Sequence, residues 1–261
     1  MDLSLEQINT LNDQGFLVLP ERFSENEVAT IRSGLPRLFS EKNPANIIER
    51  DANVVRTSMG LHLRDIVFSK LVRHPRLVSP ARQIFAEPFY AQQVKVNVKA
   101  AFSGEAWQWH YDFATHREED GVEKPIALNL HIFLDDVTEF NGPLYFIPGS
   151  HKYGDHKATL DNTSTSYPLW VVDNDSVRHL ADANGLVSAT GKKGTMLIFF
   201  DTLVHASPSN ISPWDRAIFS LIVNPISNGP KKPTRPEYKH HRSLEPISIL
   251  PDDCIKSESA A

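Results

Sequence analysis

In the stretch WQWHYDFATH, His110 and Asp112 stand one residue apart among aromatic side chains. On an extended strand, residues i and i+2 share a face, so this spacing sets an imidazole beside a carboxylate. Such groups leave water only when they are paired or hold a metal. Two histidines and one carboxylate on one face of an octahedron leave the remaining positions open, the arrangement of non-haem Fe(II) oxygenases. The missing histidine must come from a distant strand. His205, in FFDTLVHASPSNISPWDR, directly follows an apolar strand-like run. Arg216 opens the next such run, where a buried guanidinium can grip a carboxylate with two hydrogen bonds. Singly, each residue has a plainer reading: a satisfied core histidine for His110 or His205, a surface ion pair for Arg216. All of them in this order, on expected strands, favour the metal site.

The elements that must position these residues follow from hydrophobic periodicity. The first third reads as helical. SLEQINTLNDQG has Ser4 as a candidate cap and Gly15 as a stop, and SENEVATIRSGLPRLFS has Ser24 as a cap with Val28, Ile31 and Leu35 at helical spacing. RDIVFSKLVRHPRLVSPARQIFA reads as two short helices broken at Pro75. From about residue 88 the period becomes two, in QQVKVNVK, IALNLHIFL, GTMLIFFD and RAIFSLIVN. One face of these strands is apolar (Val94, Val96, Val98; Leu128, Leu130, Ile132). The other carries Gln93, Lys95, Asn97 and Lys99, or Asn129 and His131. A solvent-facing sheet would explain any one strand. Amides and isolated cations in place of dense charge fit a polar-lined cavity better. The expected organisation is one domain over 1–261: a mostly helical flank (1–87), a β core (88–225) and a C-terminal tail (226–261), with 152–190 and the tail as irregular surface loops or lids.

Composition sets the outer limits. The chain has 261 residues, 41% hydrophobic and 23% charged, enough for a substantial core. A net charge of −5 argues against a nucleic-acid surface. No apolar run approaches a membrane span, the N-terminus is unlike a signal peptide, and the terminal SESAA matches no targeting tail, so a cytoplasmic protein without membrane contact is expected. One cysteine, Cys254, rules out an internal disulfide. The sequence leaves the oligomeric state open.

With these residues in view, the chain resembles the phytanoyl-CoA dioxygenase family of Fe(II)/2-oxoglutarate-dependent oxygenases. The resemblance rests on His110-x-Asp112, the NGPLYFIPGSH block, KGTMLIFFD, and His205 followed by Arg216. It extends over most of the chain and is most similar to the bacterial branch that contains ectoine hydroxylase and free L-proline 4-hydroxylases. It implies a mainly β fold, a double-stranded β-helix (jelly roll, cupin-like) with N-terminal flanking helices. It implies Fe(II) on His110, Asp112 and His205 and 2-oxoglutarate anchored by Arg216, with Asn97, Asn129 and Ser220 as further cosubstrate contacts. O2 is the implied co-reactant and ascorbate an expected stimulant.

Gln93, Lys95, Arg56 and His116 are the expected substrate-side residues, Arg56 by reaching a carboxylate from the N-terminal region. The resemblance to ectoine hydroxylase would call for arginine and tryptophan where Lys95 and His116 stand, which favours a different small zwitterion. Retention of Asp112 disfavours halogenation, since family halogenases lack that carboxylate. The expected reaction is hydroxylation of an unactivated C–H bond of a free amino acid, L-proline at C4 first. An ectoine or natural-product hydroxylase and a non-catalytic metal-binding barrel are the competing readings. His131 is expected behind the triad or on the substrate, His151 in a turn, and His240 and His241 in a solvated tail.

Overall fold

The structure is a computed structural model that describes residues 2–154 and 156–256; the terminal SESAA lies outside them. Local chemistry sets the helix ends. α1 (Leu5–Gln14) starts with a reciprocal Ser4–Gln7 capping box and stops at Gly15, whose φ of 84° is left-handed. A side chain at Gly15 would also run into His151 and Leu203, so strain and space both demand glycine there. α2 (Glu25–Ser33) repeats the box with Ser24 and Glu27, and α3 (Leu35–Ser40) follows at once. α4 (Ile66–Leu71) is capped by Asp65, and Pro75 opens α5 (Pro75–Phe85). The remaining helices are α6 (Asp112–Asp120) and α7 (Asn174–Asn184).

The strands are β1 (Phe16–Leu19), β2 (Asn46–Ile48), β3 (Val55–Met59), β4 (Phe89–Lys99), β5 (Trp107–His110), β6 (Leu128–Phe133), β7 (Leu144–Phe146), β8 (Ala158–Asp161), β9 (Leu169–Val172), β10 (Val187–Ala189), β11 (Met196–Phe200), β12 (His205–Ser207) and β13 (Arg216–Pro225). They form two antiparallel sheets, ordered β1-β11-β6-β13-β4-β3-β2 and β10-β7-β12-β5-β9-β8, the jelly roll expected from the alternation. The faces divide as the sequence indicated. Val94, Val96, Leu130, Ile132, Phe219 and Leu221 pack with Ile31, Phe68, Leu71, Leu77 and Val78 of the helices. At roughly 1.5–3 kcal/mol per fully buried large apolar side chain, this helix-covered face is a main source of stability. On the opposite side Phe133, Phe199 and Ile218 meet Phe146 of the smaller sheet. The polar residues of the large sheet's inner face are therefore held between two packed layers.

Three expectations need correction. The N-terminal third also carries β1, β2 and β3; β1 pairs with β11 and extends the large sheet. Residues 152–190 are not irregular. They hold β8, β9, α7 and β10, whose strands are too short to show a period, while α7 is capped by Asp173 and buries Val177 and Leu180. The tail after 226 is tied down by single backbone bonds, His241 to Gln92, Ile247 to Phe89 and Leu250 to Arg73. Such an extended strap leaves no repeating pattern to read. Among the described residues no helix is long and apolar enough to cross a membrane.

Candidate active site

β5 ends at His110, and its antiparallel partner β12 sets His205 directly opposite. The two rings lie 4.1 Å apart between centroids. Asp112 does not lie on the same strand, as i, i+2 alternation suggested. The strand ends at His110, Tyr111 is the turn, and Asp112 is the first residue of α6. A carboxylate in a helix's first turn is favoured by the exposed N–H groups there, and the turn still brings Asp112 Oδ1 to 4.0 Å from His110 Nε2. One ligand atom from each of His110, Asp112 and His205 falls within 4.8 Å of the others.

The surroundings prepare these atoms for a cation. His110 Nδ1 donates to the Gln108 carbonyl at 2.7 Å and His205 Nδ1 to the Leu203 carbonyl at 2.9 Å. A carbonyl only accepts, so the proton sits on Nδ1 and each Nε2 keeps its lone pair. Burial, reinforced by the neighbouring His205, lowers the His110 pKa to about 3, and burial also lowers that of His205. Burial alone would raise Asp112; the electrostatic influence of the neighbouring His205, Lys95 and His110 outweighs this and holds it below the usual carboxylate range. Asn129 Nδ2 donates to Asp112 Oδ2 at 2.9 Å and fixes that carboxylate. Two neutral imidazoles and one charged, oriented carboxylate fit a divalent transition metal, with the second layer of hydrogen bonds such sites require.

The triad opens into a cavity of about 680 Å³, counted with the open space at its mouth. Arg216 reaches it from β13. Its Nε and Nη2 donate to the Gly142 carbonyl at 3.0 and 2.5 Å, and Nη2 also to Ser207 Oγ at 3.0 Å. Burial pulls its pKa down to about 9, so it remains a cation at neutral pH. Asn97 also lines the cavity, and its buried Oδ1 has no hydrogen-bond partner among the described residues. Lys95 pairs in register with Ser220 and Lys99 with Arg216. Lys95 and Arg216 are thus separated by four strand steps, about 13 Å. Lys95 Nζ donates to Gln93 Oε1 at 2.7 Å and has no carboxylate within ion-pair distance among the described residues. Burial lowers its pKa, Asp112 opposes that, and Arg235 adds to it, which places all three within mutual electrostatic reach. Arg235, from the C-terminal strap, holds Asp120 by Nε (3.0 Å to Oδ1) and Nη2 and lines the same cavity.

Several expected site residues therefore converge: His110, Asp112, His205, Arg216, Asn97, Asn129, Gln93, Lys95 and His116 all line the cavity. Others do not. Arg56 is fully buried away from it, bonded to Glu105 at 2.8 Å and to the Ala106 carbonyl at 2.7 Å, with its guanidinium 3.9 Å over Trp107. Its plainer reading, a structural ion pair, holds. Ser220 bonds His131 Nε2 at 2.9 Å and stands behind that ring, while His131 itself lines the cavity. Asn129 contacts the triad's carboxylate as well as the cavity. His240 is not solvated: it is fully buried, with Nδ1 2.8 Å from Asp120 Oδ2. Sequence reasoning missed Arg235, Tyr167 and Leu169 as cavity walls. All three sit in segments without periodicity, and an arginine within a Lys/Pro-rich run was their one signal.

Comparison with known proteins finds relatives over most of the chain. The family described as phytanoyl-CoA dioxygenase (PhyH) matches residues 11–218. The L-proline trans-4-hydroxylase of Streptomyces griseoviridis is 36% identical over 243 residues, 89% of this chain and 91% of that one. The ectoine dioxygenase of Bordetella bronchiseptica is 33% identical over 272 residues, 97% of this chain and 87% of that one. Among solved structures, EctD from S. alaskensis with 2-oxoglutarate and 5-hydroxyectoine superposes with a TM-score of 0.85 at 31% identity, covering 95% of this chain and 87% of that chain. The same enzyme with bound Fe superposes with a TM-score of 0.84 at 30% identity, with the same coverage.

Proposed function

The chain belongs to the phytanoyl-CoA dioxygenase family of Fe(II)/2-oxoglutarate-dependent oxygenases, and from that premise we propose that it hydroxylates a free amino acid, L-proline at C4 being the leading candidate. The observation that carries the reading is Lys95. It is a partly buried lysine without a carboxylate partner among the described residues, facing the same cavity as Arg235 and the triad. A lysine set in such a cavity is completed by an anionic ligand. A small carboxylic acid seated there would present its nearby C–H bonds to the triad. A fatty acyl chain would instead desolvate Lys95, Gln93 and Asn97 for nothing in return.

When bound, Fe(II) with 2-oxoglutarate and O2 supplies the oxidant for an unactivated C–H bond, and the cosubstrate leaves as succinate and CO2. The residues of the chain supply position and shelter. His110, Asp112 and His205 would hold the metal, and Asn129 keeps the Asp112 carboxylate aimed. Arg216, braced on Gly142 and Ser207, would receive the far carboxylate of 2-oxoglutarate, with Asn97 beside it. Lys95, about 13 Å along the strands from Arg216, would receive the substrate's carboxylate together with Arg235. The two anions are thereby kept at separate ends. Tyr167 and Leu169 from the β8–β9 hairpin and Arg235 from the C-terminal strap wall the cavity and limit water.

The second reading is ectoine, favoured by the ectoine dioxygenases among the relatives. Lys95 and His116 stand against it, since the resemblance calls for arginine and tryptophan there. The test is succinate release from 2-oxoglutarate with Fe(II) and ascorbate over a panel of free amino acids, ectoine and acyl-CoAs. Stimulation by an amino acid is expected. Stimulation by ectoine or an acyl-CoA with no response to any amino acid overturns the reading.

A further inference from the structure

We propose that His116 and Asp201 together form the receptor for the substrate's amine, an assignment that rests on the amino-acid reading above and deepens it. His116 lies one helical turn after Asp112 on α6, so both face the same way. It is buried and lines the cavity. Asp201 follows β11 and is fully buried. Its backbone is fixed on both sides, its N–H on the Ala127 carbonyl at 3.2 Å and its carbonyl accepting from Phe113 at 3.0 Å. Among the described residues, neither Asp201 carboxyl oxygen nor His116 Nδ1 has a hydrogen-bond partner. These orphaned atoms face each other, Oδ2 lying 3.9 Å from Nδ1. Unpartnered buried polar atoms are rare, and three at one place beside a substrate cavity call for a role.

The chemistry of an α-amino-acid head group supplies one. Its carboxylate and its ammonium sit on the same carbon, so their receptors must be neighbours. The titratable groups around His116 are Arg235, Asp112, Asp120 and Asp201, with His240 also close. Arg235, with Lys95, takes the carboxylate in the reading above. With Nδ1 turned to Asp201, His116 presents Nε2 on the opposite side of the ring. An imidazole whose Nδ1 carries the proton and faces an Asp201 oxygen keeps a lone pair on Nε2. That lone pair accepts an N–H of the ammonium. Burial and the neighbouring Asp112 raise the Asp201 pKa well above the usual carboxylate range, so the part of Asp201 is to face Nδ1–H as an acceptor and fix the ring's tautomer. An acyl thioester has no cation to place there, and a quaternary amine has no N–H to donate.

The test uses the holoenzyme with 2-oxoglutarate under anaerobic conditions. Calorimetry compares the amino acid that the panel identifies with its fully N-methylated betaine, which has no N–H, and with the carboxylic acid lacking the amine. The wild type is expected to bind both analogues about 10- to 100-fold more weakly, the range for a hydrogen bond to a charged group. In Asp201→Leu, which keeps the bulk and loses the acceptor, and in His116→Phe, this discrimination collapses to about 3-fold or less, with 2-oxoglutarate affinity retained. If the variants misfold, the wild-type comparison decides alone. Equal wild-type affinity for amine and analogues, or undiminished discrimination in folded variants, overturns the assignment while an active amino acid leaves the function reading standing. If no amino acid binds or reacts, the function reading falls and this assignment falls with it.

Discussion

Replacing Arg216 by lysine separates charge from geometry at the proposed cosubstrate anchor. The guanidinium is braced by three hydrogen bonds to Gly142 and Ser207 on its Nε and Nη2 side. That bracing leaves Nη1 to meet a ligand in the cavity. Lysine keeps a positive charge but has no fork, so it cannot hold the Gly142 carbonyl and Ser207 and also donate from a second nitrogen to a carboxylate. The loss amounts to one charge-assisted hydrogen bond of about 1.5–3 kcal/mol. At about 1.4 kcal/mol per factor of ten, the KM for 2-oxoglutarate should rise roughly 10- to 150-fold. The KM for the hydroxylated substrate should change little, because Lys95 and Arg235 bind at the other end. The assay is initial succinate release against 2-oxoglutarate at saturating substrate, with the melting transition recorded to confirm folding. An unchanged KM for 2-oxoglutarate in a folded Arg216→Lys protein would refute the anchor.

Asn129→Leu removes the donor that aims Asp112 Oδ2, and metal affinity should fall about 10- to 100-fold, read by Fe(II) titration. Gly142→Ala forces a side chain onto a φ of 77° and against the Lys99 side chain. Since its carbonyl braces Arg216, a loss of about 1–2 kcal/mol in urea unfolding should accompany a raised KM for 2-oxoglutarate. The pH dependence follows from buried neutral histidines. Burial, with His241 beside it, lowers His62 to about 4, and burial with Arg235 lowers His116 to about 3. Their unfolded pKa is about 6.5, so the unfolded chain binds more protons below that value. Stability should be full above pH 6.5 and fall steadily toward pH 4, as measured by the urea midpoint of the metal-free protein.

The parts of this architecture legible in the sequence are those written in period. Leu128, Leu130 and Ile132 alternate with Asn129 and His131, and that alternation alone separates the helix-covered face from the cavity. Ser4, Ser24 and Pro75 mark helix starts by direct backbone chemistry. His110 and His205 were legible because each ends or begins a strand of one antiparallel pair. Asp112 was legible as a candidate ligand but not as a helical residue. His110-x-Asp112 satisfies strand alternation, and Tyr111 is not a side chain that marks a helix start, although Gly121 marks its end. Arg235 and His240 were hidden because the strap that carries them binds residue by residue. Their burial comes from Asp120, more than a hundred positions away in sequence. Arg56 misled for the converse reason: Glu105 neutralises it in the interior, and nothing local announces that pair.

The central claim is that His110, Asp112 and His205 form one metal site that the cosubstrate completes. The most direct measurement is anaerobic Fe(II) titration of the wild type, Asp112→Ala and His205→Ala, each with and without 2-oxoglutarate. The account predicts one Fe(II) per wild-type chain, bound more tightly when 2-oxoglutarate is present, and loss of that site in both variants. Equal Fe(II) binding by all three proteins, or wild-type binding indifferent to 2-oxoglutarate, would contradict it.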